Sequence, residues 1–195
     1  MGEQERMDAL TEDLEAMVAR EKIRDCIGRV ARGEDRRDAA LIGAAFWPDA
    51  ATDFGLFSGT FDEYLAWVVP GSPALPDTQH FLGQSVIELD GNLAHAETHV
   101  ISYHRVDMGE EHRDICIGGR YLDRMERRGG QWRIADRTML YDWSQDIGRS
   151  IDWSQGLMGA PLSAEYFSGR AVGDYSEIFF GKRAAQTHVE TDHGR

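Results

Sequence analysis

The sequence is poor in cysteine and proline and has no long apolar run. Its two cysteines, Cys26 and Cys116, are too few for a disulfide framework, so we expect free thiols in a reducing compartment. No segment approaches the roughly 18 apolar residues of a membrane span. The acidic residues 1–5 lack the apolar core of a secretory signal. These absences predict a cytoplasmic protein without membrane contact.

Positive charge is also scarce. The chain has 21 Lys and Arg against 34 Asp and Glu, a formal net charge of -13, which repels nucleic acid phosphates and anionic lipids. The arginines of residues 120–137 alternate with acids and flank a Gly-Gly turn, so we interpret them as a solvated hairpin and expect no nucleic acid partner. They are Arg120, Arg124, Arg127, Arg128, Arg133 and Arg137.

Motifs for nucleophilic and cofactor chemistry are missing as well. The sequence has no Gly-x-Ser-x-Gly elbow, no P-loop and no Gly-x-Gly-x-x-Gly fingerprint. Gly118 and Gly119 lie inside a strand pattern, where close backbone packing explains them. The sequence therefore predicts no cofactor.

A metal site is not favoured by the histidine spacing. His95 and His99 would lie on one strand face about 13 Å apart at roughly 3.3 Å per residue, too far to share an ion. His104 falls on the other face of that strand. We expect no metal ion.

Apolar periodicity predicts three helices in the N-terminal part of the chain. The first covers residues 11 to about 32, and Gly33 takes its left-handed exit. The second ends at Pro48. The third starts at residues 60–63, which have the spacing of a capping box.

The rest of the domain has the pattern of strands. A short strand is predicted at 51–55, and longer ones from residue 78 to about Trp143, with a break at Asp90-Gly91. Helices followed by strands predict an α+β fold, in which three N-terminal helices pack on a curved, mostly antiparallel sheet. Such a sheet leaves a concave pocket.

We divide the chain into a domain of residues 1–143 and an extension of residues 144–195. Residues 1–10 are expected to be mobile. The extension is expected to form a partly packed flap or an oligomer arm, with its last dozen residues mobile.

The class of chemistry that these exclusions leave is acid–base catalysis by side chains alone. A histidine can accept a proton near neutral pH if a carboxylate orients its ring. His80 is the candidate, and Asp35, in the acidic turn at 33–38, is its candidate partner. On the residues alone, a surface aspartate and a core histidine are the competing interpretations.

Several segments resemble the SnoaL-like branch of the nuclear-transport-factor-2-like superfamily, which includes scytalone dehydratase, bile acid dehydratase and hexachlorocyclohexane dehydrochlorinase. The resemblance covers roughly residues 11–143. It implies a cone-shaped α+β barrel, cofactor-free elimination or hydration, and an Asp-His dyad onto which Asp35 and His80 map. The matching segments are 33–38 (GEDRRD), 46–50 (FWPDA), 78–83 (TQHFLG), 117–121 (IGGRY) and 126–132 (ERRGGQW).

The same resemblance implies further site residues. His104 falls where scytalone dehydratase has a second pocket histidine, Tyr121 on the pocket side of the Gly-Gly strand, and Arg127 near an arginine of the dehydrochlorinase. Val30 and Phe54, however, replace polar residues of the relatives. These replacements favour an alternative, a non-catalytic binding or assembly module. A missing hydroxyl could come from Tyr121, Tyr103 or Tyr64.

The face on which His104 lies depends on the hairpin loop. A three-residue loop at 89–91 places His104 on the face of His80, whereas a two-residue loop at Asp90-Gly91 places it on the opposite face. Both registers fit the sequence.

Aromatic residues cluster in the segment expected to wall the pocket. Trp47, Phe54, Tyr64 and Trp67 together predict an apolar, ring-sized substrate. Because sheet faces in this superfamily usually pair, we also expect a homodimer or homotrimer. The sequence thus predicts a cofactor-independent lyase or isomerase for a small molecule.

Overall fold

The computed structural model describes residues 2–152, 156–163, 166–167, 169–171 and 173–181. The chain divides into two compact units, Met1–Ser150 and Ile151–Arg195. In the part of the chain described here, no helix is long and apolar enough to cross a membrane.

The first helix, α1, spans Glu3–Arg36. It starts before the predicted residue 11, because Glu3 and Glu5 favour the positive end of the helix and Glu5 caps the N–H of Gly2. The expected mobility of residues 1–10 stays a prediction. At the other end Arg37, at φ 53°, takes the left-handed position.

Gly33 does not end the helix as predicted but lies inside its last turns. A β-carbon at this position would come within 2.6 Å of Cγ1 of Ile42. Glycine is needed here because the second helix, α2 (Ala39–Gly43), packs closely on α1. The acidic segment 33–38 is consequently mostly helical rather than a turn.

Two short elements follow. Asp38 caps α2 through hydrogen bonds to the N–H groups of Ala40 and Leu41, both 3.0 Å. The strand β1 covers Phe46–Asp53 and contains Pro48, which was expected to end a helix. Its pairing is irregular between Phe46 and Ala51, where a proline without an N–H is tolerated.

The remaining elements are β2 (Ser58–Thr60), α3 (Phe61–Val68), β3 (Asp77–Asp90), β4 (Leu93–Asp107), β5 (His112–Arg128) and β6 (Gln131–Arg149). Thr60 and Glu63 form the predicted capping box of α3. The sheet order is β2-β1-β6-β5-β4-β3, and only the β1–β6 pair is parallel. β6 continues to Arg149 instead of ending near residue 143.

The core lies between α1 and the concave face of the sheet. Ile23, Ile27 and Val30 of α1 are fully buried, as are Met125 and Ile134 of the strands. Each such side chain contributes about 1.5–3 kcal/mol when removed from water. The predicted α+β architecture, three helices on a curved and mostly antiparallel sheet, is confirmed.

The β3–β4 hairpin has neither of the two loops considered above. Asp90 pairs with Leu93, so the loop is Gly91-Asn92. A β-bulge then places the two residues 83–84 opposite one residue of β4, and this shifts the register by one. As a result Thr78 pairs with His104, and His104 lies on the same face as His80.

The second unit is described only in part. Residues 175–181 are helical, and Asp174 accepts a hydrogen bond from the N–H of Ser176 at 2.9 Å. The flap or oligomer-arm role stays a prediction. The expected mobility of the last dozen residues concerns a segment outside the described residues.

Candidate active site

Asp35 and His80 are joined by two hydrogen bonds. Asp35 Oδ1 lies 2.7 Å from His80 Nδ1, and Oδ2 accepts the backbone N–H of His80 at 3.0 Å. The hydroxyl of Thr78 also donates to Oδ1, at 3.4 Å. The carboxylate therefore fixes both the position of the ring and the proton on Nδ1.

Glu34, the neighbour of Asp35 in α1, approaches the other side of the same ring. Its Oε2 lies 3.5 Å from His80 Nε2. Its Oε1 accepts the hydroxyl of the fully buried Tyr64. Adjacent helical residues point about 100° apart, which lets Glu34 and Asp35 contact the two nitrogens of one imidazole.

These contacts determine the charge of His80. Burial lowers the pKa of His80, but the hydrogen bond that its ring donates to Asp35 and the negative charges of Glu34 and Asp35 raise it by more, so the net pKa lies above the ordinary value of 6.5. Arg137 acts in the opposite direction. A cation is also favoured near the C-terminal end of α1 by the helix dipole.

His104 has the opposite electrostatics. Its ring centroid lies 6.1 Å from that of His80, with the planes 86° apart. Burial, followed by the positive charges of His80 and Arg37, lowers the pKa of His104 to about 4. His104 is therefore a neutral imidazole, which can donate one hydrogen bond and accept another.

Both histidines open onto a cavity of about 280 Å³. Its polar lining residues include Glu34, Arg37, Ser72, Thr78, His80, Ser102 and His104. Among the described residues, no group of three or more His, Cys, Asp or Glu side chains could hold a metal ion. The other lining residues are mainly apolar: Phe54, Leu56, Trp67, Val68, Leu75, Val106, Ile115, Ile117, Tyr121, Met139 and Tyr141.

Aromatic rings form one wall of this cavity. Phe54 stacks on Tyr64 at 5.4 Å and meets Trp67 at 5.7 Å. Tyr141, which also lines the cavity, donates its hydroxyl to the carbonyl of Phe54 at 2.9 Å. Of the three tyrosines considered from the sequence, only Tyr121 lines the cavity, while Tyr64 bonds Glu34 and Tyr103 bonds Asp114.

Two predicted site residues lie elsewhere. Trp47 donates its Nε1 proton to the carbonyl of Glu126 and does not line the cavity. Arg127 bonds Asn92 at 2.8 Å, at the far end of the hairpins. Arg127 is six residues from Tyr121 along β5, or about 20 Å. Neither residue therefore lines the cavity onto which His80 opens.

A buried ion pair supports the cavity floor. Arg137 and Asp123 have fully buried side chains and form two parallel hydrogen bonds of 2.7 and 2.8 Å. The guanidinium carbon of Arg137 lies 4.1 Å from the ring centroid of Tyr121. The interpretation of Arg137 as part of a solvated hairpin is wrong, because it shares the inner strand face with Met139.

A model of the SnoaL-like domain family matches residues 15–138, more than half of the chain. The chain belongs to the SnoaL-like family. No curated protein matches the sequence.

Solved structures place this SnoaL-like chain in the nuclear-transport-factor-2-like fold. A hexachlorocyclohexane dehydrochlorinase from Novosphingobium barchaimii has a TM-score of 0.63 at 19% identity, over 77% of this chain and 98% of that chain. A candidate scytalone dehydratase from Novosphingobium aromaticivorans has 0.59 at 19%, over 68% and 89%. A superfamily protein from Salmonella enterica has 0.59 at 15%, over 66% and 94%. Identities this low show the fold alone.

Three residues in or beside the cavity of this SnoaL-like protein were not predicted from the sequence. Glu34 was overlooked because its segment was interpreted as a turn, although it directly precedes Asp35. Arg37 was also overlooked. It donates to the carbonyls of Val68 and Leu75, both at 3.3 Å. The third, Arg137, could have been found from its inward position between apolar residues of β6.

Proposed function

We propose that the protein is a cofactor-independent lyase or isomerase in which the Asp35–His80 pair carries out proton transfer. The single observation that supports this proposal best is the 2.7 Å contact between the Asp35 carboxylate and Nδ1 of a histidine that lines a cavity. A carboxylate-oriented imidazole is sufficient for general acid–base catalysis. The relatives whose fold it shares include proteins named for elimination reactions.

The roles of the side chains follow from their positions. Asp35 orients the His80 ring and stabilises its charged form. His80 exchanges a proton with the substrate through Nε2. His104, held neutral, hydrogen-bonds a carbonyl or a leaving group, and Tyr121 supplies a second polar contact in the same cavity.

The residues that line the cavity indicate the class of substrate. Aromatic and aliphatic side chains make up most of the wall, and the polar side chains of His80, His104 and Glu34 lie close together. This arrangement suits a small apolar ring compound with one oxygen or halogen substituent directed toward the histidines. Phe54 and Trp67, at one wall, would contact the ring.

A screen of ring compounds tests the function. Hydroxy-carbonyl and halogenated ring compounds are offered to the wild type and to His80→Ala, and elimination products are measured by mass spectrometry. We expect turnover by the wild type and a loss of about 100-fold or more in the variant. Equal turnover by both proteins would remove His80 from the mechanism.

One alternative is supported by particular residues. Val30 is a fully buried core residue, and Phe54 presents no hydroxyl to the cavity. A protein that binds ring compounds without converting them would fit both facts. Binding measured by calorimetry without any product in the same screen would favour this alternative.

We also propose a homodimer or homotrimer. Phe81, Ile101 and Trp143 form a cross-strand row on the face of the sheet opposite His80, and each is about half exposed. A second copy of this chain would cover the row. Light scattering is expected to give a dimer or trimer mass that Phe81→Glu lowers, and a monomer mass for the wild type contradicts the proposal.

The cytoplasm is the proposed location. Both Cys26 and Cys116 are free thiols, and Cys26 is buried with its pKa raised to about 11, mainly by burial. Such thiols are compatible with a reducing compartment.

A further inference from the structure

We propose that Glu34 is a second catalytic residue, the base that removes the substrate proton, while protonated His80 is the acid that protonates the leaving group. This inference rests on the proposed function and assigns the direction of proton transfer within the same site.

The burial and the contacts of Glu34 support its assignment as the base. Its side chain is 7% exposed and lines the cavity. Oε1 is held by the hydroxyl of Tyr64, whereas the buried Oε2 has no hydrogen-bond partner among the described residues. Apart from its 3.5 Å contact with Nε2 of His80, Oε2 is thus an acceptor without a hydrogen bond, on a carboxylate whose other oxygen is held in place.

His80 is poorly suited to be the base in this arrangement. Each of its ring nitrogens faces a carboxylate, Nδ1 toward Asp35 at 2.7 Å and Nε2 toward Glu34 at 3.5 Å. A ring held between two negative charges keeps both of its protons. An imidazolium has no lone pair with which to accept another proton, so it acts first as a donor.

The proposed step balances for a hydroxy-carbonyl substrate. Oε2 of Glu34 takes the proton from the carbon next to the carbonyl. The electron pair of that C–H bond forms the C=C bond, and the C–O bond of the neighbouring carbon breaks. Nε2 of His80 gives its proton to the departing oxygen, which leaves as water.

The contact between Glu34 and His80 also allows the site to return to its starting protonation state. After the step Glu34 is a neutral carboxylic acid and His80 is a neutral imidazole with its remaining proton on Nδ1. The 3.5 Å separation between Oε2 and Nε2 is close enough for Glu34 to return the proton after a small side-chain movement. The cycle then needs no proton from bulk water.

Apolar surroundings favour this role. Tyr64 and the neighbouring Phe54 exclude water from the carboxylate. The Tyr64 hydroxyl bonds Oε1, which leaves Oε2 to accept the substrate proton.

The test uses nitrobenzisoxazole, a flat bicyclic probe that reports proton removal from carbon without the natural substrate. A base takes its ring C–H proton, a nitrile forms, the N–O bond breaks and a coloured phenolate is released. Because this leaving group departs without an acid, the probe isolates the base. The variants are Glu34→Gln, His80→Asn and, as a matched control, Glu21→Gln, the same chemical change at an exposed side chain of α1.

We expect Glu34→Gln to lower kcat/KM for the probe at least tenfold and more than His80→Asn does, with Glu21→Gln within threefold of the wild type. A larger loss in His80→Asn than in Glu34→Gln would overturn the inference and leave the proposed function standing with His80 as base. A Glu21→Gln loss equal to that of Glu34→Gln would also overturn it, since the loss would then not depend on the position of Glu34 in the cavity. A wild type no faster than acetate buffer would count against both proposals.

Folding of the variants is checked by ring proton NMR of the histidines. If Glu34→Gln is folded, the His80 signals remain dispersed, and their titration midpoint moves to lower pH than in the wild type. An unchanged midpoint would show that Glu34 does not hold the charge of His80 and would overturn the inference independently of activity.

Discussion

Both carboxylate oxygens of Asp35 are bonded to His80, one to the ring and one to the backbone N–H. The backbone bond fixes the start of β3 against the last turn of α1. The hydrogen bond between Asp35 and the His80 ring is therefore held at a fixed length and direction. This relationship is the basis of the first prediction.

Asp35→Asn is expected to lower kcat/KM about 100-fold or more, because an amide does not stabilise the imidazolium. Steady-state kinetics with a substrate from the ring-compound screen measure the loss. The matched control is Asp38→Asn, the same chemical change three residues away, where asparagine caps α2 equally well. Similar losses in the two variants would contradict the assigned role.

Stability at acid pH should depend on His104. Its pKa is about 4 in the folded chain, against 6.5 ordinarily, so the unfolded chain binds the proton first as the pH falls. The stability that neutral His104 provides is thus present above about pH 6.5 and is lost as the pH falls toward 4. At about 1.4 kcal/mol per pH unit, the loss reaches about 3 kcal/mol at most.

The measurement compares urea unfolding of the wild type and His104→Leu between pH 7 and pH 4. Leucine does not titrate, so the variant should lose less free energy of unfolding over this range. Parallel curves would show that His104 does not titrate as described.

The buried Asp123–Arg137 pair should be a major contributor to stability once one partner is removed. Asp123→Asn leaves the guanidinium buried without its counter-charge, and breaking such a pair costs about 3–5 kcal/mol. Glu21→Gln removes an acid from the exposed pair with Arg24 and should cost less than about 1 kcal/mol. Equal midpoints of the two variants in urea would be incompatible with this account.

The two glycines of the Gly-Gly strand should respond differently to alanine. A β-carbon on Gly119 would lie 2.2 Å from the carbonyl oxygen of Leu140, a backbone atom. On Gly118 it would meet the ring of Trp143, which is 47% exposed and can move. We expect a loss of about 1–3 kcal/mol for Gly119→Ala and a smaller one for Gly118→Ala, by thermal unfolding. The reverse order would disprove the packing argument.

Local patterns in the sequence were enough for much of the fold. The capping box at Thr60, the three helices, the long strands and the close packing at Gly118 and Gly119 follow from interactions over a few residues or from strand alternation. The acid–base pair could not be identified from such local patterns. The residues alone left Asp35 and His80 as one possibility among several, and only the family resemblance joined them.

By itself, therefore, the sequence determined the class of fold, the absence of cofactor motifs and the candidate pair. The tertiary structure decided which side chains share the cavity. The bulge at 83–84 brings His104 to the face of His80, the helical continuation of α1 places Glu34 against the same ring, and the length of β5 keeps Arg127 away. The physical reason is that register and helix ends are set by contacts between segments distant in the chain, which local periodicity does not contain.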